Sequence, residues 1–436
     1  MFGGLFKTTS LAALLAAGMA FGGASAQAAD LGGDCCADLE ERVAELEATT
    51  ARKGNRKVTL TISGQVNELV YWWDDGEESN VYVGTSSYSS SRFRFKGDAK
   101  INTDWSAGYY MELEVVSAAV SGQTAGSDES TNAVQIRQSN WYLKSKSLGT
   151  ITVGQQSHAT DDIILFSLGG TAPGTASNHN VAPGSGIAFV GGGTVRPSDL
   201  LQFLDSDRAN LVRYDSPTIG GFMFSASWGE DDMWDVALRY AGEFNGIKIA
   251  GGIGYHVERD RNGDNGTGNI VLSPVGAEVV GDAAIGAATA DFEEIRGSIS
   301  VIHTPTGLFA DLAGIHREFD LAGKSDFNYW NVRAGIYQKF FALGKTSIFG
   351  EYAMAYGALE DTNAFRTVVA GDIVTNGVVT NDDITVWGFG IQQNIDAAAM
   401  EIYAGYRRFE ADISVNGVAR PTEDIDTVYT GARIQF

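Results

Sequence analysis

Four arginines and five aspartates carry the chemistry that the spacing of this chain suggests. In Arg92-Phe93-Arg94-Phe95-Lys96 aromatic and cationic residues alternate, so an extended backbone sends them to opposite faces. Arg137 and Arg213 take the same polar parity in their own extended segments. Guanidinium groups keep their proton at ordinary pH, so a face built of them needs water and facing carboxylates. The carboxylates are expected from residues 159–209, a stretch of 51 positions that holds Asp161, Asp162, Asp199, Asp205 and Asp207. The same stretch contains eight glycines and three of the seven prolines, Pro173, Pro183 and Pro197. Connections of such length are usually functional. Folded into a wet cavity, it would set an acidic constriction against a basic wall and impose a transverse field on any ion between them.

Other arrangements point away from catalysis. Asp260, Asn262 and Asp264 sit at alternate positions of a calcium-loop pattern, but Asn265 replaces its glycine and Val271 its closing glutamate. His158, His179, His256, His303 and His316 form no pair at metal-ligand spacing along the chain, and no Gly-x-Ser-x-Gly elbow occurs. Gly191-Gly192-Gly193 precedes no helical pattern that could cradle a phosphate. A hydrolase is therefore the weaker reading, and neither cofactor nor resident metal is expected.

The elements that would position the charged groups are strands. From Val58 to Asn67 apolar residues or glycine alternate with polar ones, and the pattern recurs along the chain. Phe222, Phe224, Ala226 and Trp228 share one face; so do Trp330, Val332, Ala334 and Ile336, and Trp387, Phe389 and Ile391. Strands are predicted near 58–72, 91–101, 107–117, 133–144, 150–158, 210–216, 221–229, 234–244, 247–257, 294–304, 308–318, 327–340, 346–358, 384–395, 400–411 and 427–436. Short connections such as Asn245-Gly246 interleave with generally longer ones, the rhythm of an even-stranded barrel with turns at one rim and loops at the other. Closure would also remove the edges that so many aromatic strands leave open. The expected fold is all-β: a 16-stranded antiparallel transmembrane β-barrel over residues 58–436 with 159–209 folded inward as a constriction loop.

Composition agrees with that architecture. The chain has 436 residues, 44% of them hydrophobic, and its mean hydropathy of -0.08 is that of a soluble protein. Past residue 30 no apolar run is long enough for a membrane helix. Eight Trp, 16 Tyr and 22 Phe disfavour disorder, and a formal charge of -23 argues against nucleic acid. Tyr71, Trp72, Trp73, Tyr109, Trp141 and Tyr142 lie at strand ends and are expected in aromatic girdles. Glu68 falls on the lipid parity of its strand, where a carboxylate is costly unless a bulge or a protein contact covers it.

The ends of the chain suggest export. Lys7, the apolar run Leu11 to Phe21 and small residues near Ala24 to Ala28 read as a signal peptide over residues 1–29. Residues 30–57 are expected to form a short periplasmic helical or coiled-coil segment, with Asp38 as cap and Leu39, Val43 and Leu46 on one seam. Adjacent Cys35 and Cys36 do not make a disulfide framework. Residues 427–436 alternate and finish on Phe436, which is expected to serve as an assembly signal for outer-membrane barrels.

The run from Asp38 to Asn67, with Trp73 to Gly76, Ser91 to Phe95, Ala99 to Tyr109 and Trp141 to Lys146, resembles the alphaproteobacterial, rhizobial-type outer-membrane porin family. The resemblance implies a homotrimer in the Gram-negative outer membrane, a pore for passive diffusion of small hydrophilic solutes and ions, and a third external loop inside the lumen. Its partners would be outer-membrane lipid, lipopolysaccharide, the barrel-assembly machinery and the solutes themselves. A substrate-specific channel on the same barrel is the alternative.

Overall fold

The computed structural model describes residues 58–130, 132–202, 204–205, 208–229, 232–259, 271–272, 288–289, 291–320, 323–362, 365–369 and 372–436. The expected signal peptide, the helical segment with Cys35 and Cys36, Asp207 and the residues of the calcium-like pattern from Asp260 to Asn265 lie outside them. Among the described residues eighteen strands share one sheet, and sixteen of them form its wall. These are β1 (Thr61–Asp74), β2 (Arg92–Lys100), β3 (Trp105–Val116), β4 (Ala133–Ser145), β5 (Gly149–Ser157), β6 (Arg208–Asp215), β7 (Phe222–Gly229) and β8 (Trp234–Phe244). There follow β9 (Ile247–Glu258), β10 (Phe292–His303), β11 (Leu308–Phe319), β12 (Phe327–Phe341), β13 (Gly344–Tyr356), β14 (Val379–Ile395), β15 (Met400–Val415) and β16 (Ile425–Gln435). Each pairs antiparallel with the next, and β1 pairs with β16 from Gln65↔Gln435 to Asp74↔Asp426, so the sheet closes. Every strand expected from the period-two pattern is present. Two further strands extend the long-loop rim: Ser79–Thr85 pairs with the upper half of β1, where β2 has ended, and Val418–Arg420 pairs with β15.

Alternation explains the wall. On β10, Ile295 and Ile299 point outward, each 45% exposed, while Glu294, Arg296, Ser298 and Ser300 point inward and are buried. Apolar residues outside and charged ones inside suit lipid around the barrel and polar matter within it. Turns of a few residues join the strands at one rim. At Asn245-Gly246 both residues have positive φ, 48° and 79°, which fits a two-residue hairpin that follows strand twist. Among the described residues no helix is long and apolar enough to cross a membrane.

One local expectation is corrected, and the cost of Glu68 is met. Trp72 and Trp141 face outward, but Tyr71, Trp73 and Tyr142 are turned inward and buried, because adjacent residues of a strand cannot share one face. Tyr142 fits inside because its cross-strand partner is Gly108, and any side chain there would strike the tyrosine ring and the Gly97 carbonyl. Gly108→Val is expected to lower the thermal unfolding midpoint through about 1–3 kcal/mol of overpacking. Adding Tyr142→Ala should recover part of that loss. Glu68 is relieved by hydroxyls: Thr85 and Ser91 each donate to Oε1 at 3.0 Å.

The lumen is less wet than alternation implied. From His158 the chain leaves β5 and enters the barrel. Leu168 donates its N–H to Ser300 Oγ at 2.8 Å, and Gly169 and Gly170 lie against the Phe309 and Tyr337 rings, close to the short-turn rim. The chain then climbs past Glu351 and Tyr329 to reach Thr427 and Pro421 near the long-loop rim. Ile163, Ile164, Phe166, Ile187, Phe189 and Leu200 are buried on this path. Inward-facing Ile315 and Phe409 share a buried cluster with Ile164, Ile187, Phe189 and Leu200, Ala237 and Ala250 share one with Ile163 and Phe166, and Phe309 and Phe349 pack with Leu168, so this part of the lumen has an apolar core of its own.

Candidate functional site

The basic residues of β2 and β4 meet two glutamates of β3. Register sets Arg92 opposite Glu114 and Arg94 opposite Glu112, all on the inward face. Arg94 Nε donates to Glu112 Oε2 at 2.7 Å, and Arg92 Nη1 lies 3.5 Å from Glu112 Oε1. Between Glu112 and Leu113 the pairing with β4 slips by a residue, a bulge that leaves Arg137 without a cross-strand partner. Its guanidinium spans both acids, with Nε 2.9 Å from Glu112 and Nη1 2.9 Å from Glu114. Tyr110 donates to Glu112 at 3.0 Å and Gln135 to Glu114 at 2.6 Å. Three guanidiniums against two carboxylates leave this patch with one net positive charge. Arg94 and Arg137 keep side-chain exposures of 22% and 16%, against 4% for Arg92, so they are the ones that meet the open lumen.

Arg213 does different work. On β6 it pairs with Asp215 at 2.9 Å and donates to the carbonyls of Ser157 and His158 at 3.2 and 2.8 Å, holding the point where the long loop leaves the wall. Arg239 on β8 continues the grip by donating to the carbonyls of Ala159 and Asp161 at 2.5 and 2.9 Å. Asp161 lies 3.6 Å from Arg208 of β6. Asp162, in the left-handed region at φ 63°, donates its N–H to Asp205 at 3.0 Å. Asp161, Asp162 and Asp205 therefore gather where the loop begins and where it ends, with oxygens within 4.8 Å of one another. Burial, followed by the charges of Asp161 and Asp162, pushes the Asp205 carboxyl well above the ordinary aspartate range. Asp199 stands apart, accepting from the Arg196 N–H at 2.9 Å to cap the single helical turn Pro197–Leu200.

The expected partition into acidic loop and facing basic wall thus takes another form. Arg92, Arg94 and Arg137 find their counter-charges on the next strand, whereas the loop aspartates lie near Arg208 and the groups that anchor the loop. Cross-strand register decides this, because residues directly opposite on one face are nearer than any loop. Glu112 and Glu114 were not among the expected site residues. Nor was Glu351 of β13, whose carboxylate receives Arg407 Nη2 at 2.7 Å and Arg333 Nη2 at 3.2 Å. Thr175 of the loop donates to it at 2.9 Å, and His179 of the loop lies 3.4 Å away. A second such knot joins Glu294 of β10 to Arg317 of β11 at 2.7 Å. Reading carboxylates as well as arginines at inward parity would have found all of them.

Comparisons agree with this geometry. The family model of the Gram-negative porins matches residues 10–414. The fold is similar to an anion-selective porin from Comamonas acidovorans, with TM-score 0.55 and 16% identity over 87% of this chain and 100% of that one. It is also similar to OprB of Pseudomonas putida, with TM-score 0.56 and 11% identity over 94% and 99% of the two chains. A trimer form of OmpT from Vibrio cholerae gives TM-score 0.52 and 14% identity over 87% and 99%. No curated protein sequence matches the chain. A closed 16-stranded wall with apolar residues outside, a lumen lined by charge and a family match over nearly the whole length lead to one conclusion: the chain belongs to the Gram-negative porin family and forms an outer-membrane channel for passive diffusion.

Proposed function

We propose that the channel is a general one for small hydrophilic solutes and ions, and that they pass between the Arg92, Arg94 and Arg137 patch and residues 159–209. Arg213 holds the loop in place, and Asp161, Asp162, Asp199, Asp205 and Asp207 give the constriction its acid. The observation that carries this reading is the partly exposed pair Arg94 and Arg137, set beside Glu112 and Glu114 on an inward face. Arg94→Glu changes the local charge by two units. At about 8 Å in a water-like dielectric this favours a passing cation and disfavours a passing anion by about 1 kcal/mol each, so the cation-to-anion permeability ratio should rise roughly thirtyfold at low salt. Reversal potentials in planar bilayers under a salt gradient read that ratio, and an unchanged value would remove Arg94 from the ion path. A substrate-specific channel would instead show conductance that saturates with one solute class.

The further parts of the reading rest on sequence and on likeness of fold. The working unit is a homotrimer, as the trimer form of Vibrio cholerae OmpT suggests. Within the family the chain fits the alphaproteobacterial branch, on the residues from Asp38 to Asn67. Residues 1–29 are removed on export and 30–57 form a periplasmic helical segment. Phe436 is read by the barrel-assembly machinery, and lipid with lipopolysaccharide surrounds the barrel. Support for Phe436 comes from the seam, where it exchanges backbone hydrogen bonds with Gly64 at 2.8 and 3.1 Å and packs on Phe93 at 5.7 Å.

A further inference from the structure

Three donors far apart in sequence meet inside the barrel where the long loop leaves its strand. Asp235 of β8 and His256 of β9 are direct cross-strand partners on the inward face. His158, the residue that follows β5, lays its ring on that of His256 with centroids 5.2 Å apart and planes 26° apart. The three side chains are 5%, 0% and 3% exposed, and one donor atom from each lies within 4.8 Å of the others. Spacing along the chain hid the pair, because the closed sheet and the loop bring together residues that no local motif joins.

Their hydrogen bonding is incomplete in a telling way. Among the described residues neither ring nitrogen of His158 has a hydrogen-bond partner, although the ring is buried, and the same holds for Nδ1 of His256. Leaving buried polar atoms unmatched is costly, so an absent partner is the simplest account of them. The other nitrogen of His256, Nε2, lies 3.1 Å from a Glu258 carboxylate oxygen. A carboxylate on the far nitrogen is how metal-binding imidazoles are commonly oriented, with the free nitrogen turned to the ion. Asp235 Oδ2 accepts from Thr160 N–H and Oγ1, each at 2.7 Å, while Oδ1 accepts from Ser227, so the carboxylate is fixed and still keeps a lone pair.

We propose that His158, Asp235 and His256 bind a divalent transition-metal ion, Zn2+ being the best match to two imidazoles and one carboxylate, and that the ion ties the start of the long loop to the wall. Ligands about 2.0–2.1 Å from a tetrahedral ion stand about 3.3 Å from each other, so the donors need to close by at most about 1.5 Å, and a fourth position stays open for water. Imidazole donors select Zn2+, Cu2+ or Ni2+ over Ca2+ and Mg2+.

The test uses the full chain in detergent with Cys35→Ser and Cys36→Ser, which removes two competing thiols, stripped by chelator and titrated with ZnCl2. Calorimetry should show about one Zn2+ per chain at micromolar affinity or tighter, and no competition from CaCl2 at a hundredfold excess. His158→Ala and His256→Gln should each weaken binding by about 100-fold or more, while His303→Ala with His316→Ala should leave it unchanged. No Zn2+ bound at micromolar concentration, or equal binding by the His158 and His256 variants, overturns the proposal. If those variants fail to fold, electron paramagnetic resonance of the Cu2+-loaded parent chain decides. Hyperfine coupling to two imidazole nitrogens supports the site, and coupling to one or none overturns it.

Discussion

Replacing Glu351 with alanine should release the long loop from the wall and destabilise the barrel by about 3–5 kcal/mol, the usual result of removing one partner from a buried ion cluster. Arg333 and Arg407 are each 1% exposed or less, and both place a guanidinium nitrogen within 3.2 Å of the Glu351 carboxylate. Without it Arg407 loses its salt-bridge partner, and Arg333 retains Asp311 at 3.4 Å. The loop loses the bond from Thr175 at the same time. Two measurements follow: the unfolding midpoint of purified protein in detergent should fall by many degrees, and single-channel conductance should become larger or noisier as the loop moves. A variant with a lower midpoint and parental conductance would show that Glu351 supports the wall without holding the loop. Glu351→Gln, which keeps shape and loses charge, should lie between the two.

The second large effect is expected on the outer face. Leu312 lies near the middle of β11, is 53% exposed and has Ile299 and Val332 as its cross-strand neighbours, both of them outward-facing. An arginine at mid-membrane on such a surface costs about 2–4 kcal/mol. Leu312→Arg should therefore lower folding efficiency into phospholipid vesicles and shift the equilibrium midpoint in denaturant, while Leu312→Ala costs much less. Equal midpoints for the arginine and alanine variants would mean that lipid does not contact this face. Arginine itself is not the difficulty for the barrel: Arg317, five residues along the same strand, is buried inside with Glu294 at 2.7 Å.

These two results mark how far the chain could be read without its fold. Strand positions, outward faces and closure follow from period two, because each side chain's face is set by its own place in the strand. Thus Ile295 and Ile299 are outward and Arg92 and Arg94 inward, as alternation requires. The inward turn of the long connection expected over 159–209 was legible from its length, and the pairing of Phe436 at the seam is consistent with its place at the end of an alternating run.

What only the tertiary structure decided is who meets whom. A strand's sequence sets the face of a residue and leaves the register of its neighbour open, so Arg94 with Glu112, and Arg137 across the bulge, could not be read from β2 or β4 alone. The lumen's apolar half has the same origin. Phe309 and Ile315 break the polar rule of an inward face, and they do so where Leu168 and Ile164 of the loop, respectively, need cover from water. His158, Asp235 and His256 come together through both effects, cross-strand register for one pair and the loop's departure point for the third. Local periodicity therefore determined which residues face the lumen, and register together with the path of one long loop determined the chemistry they form there.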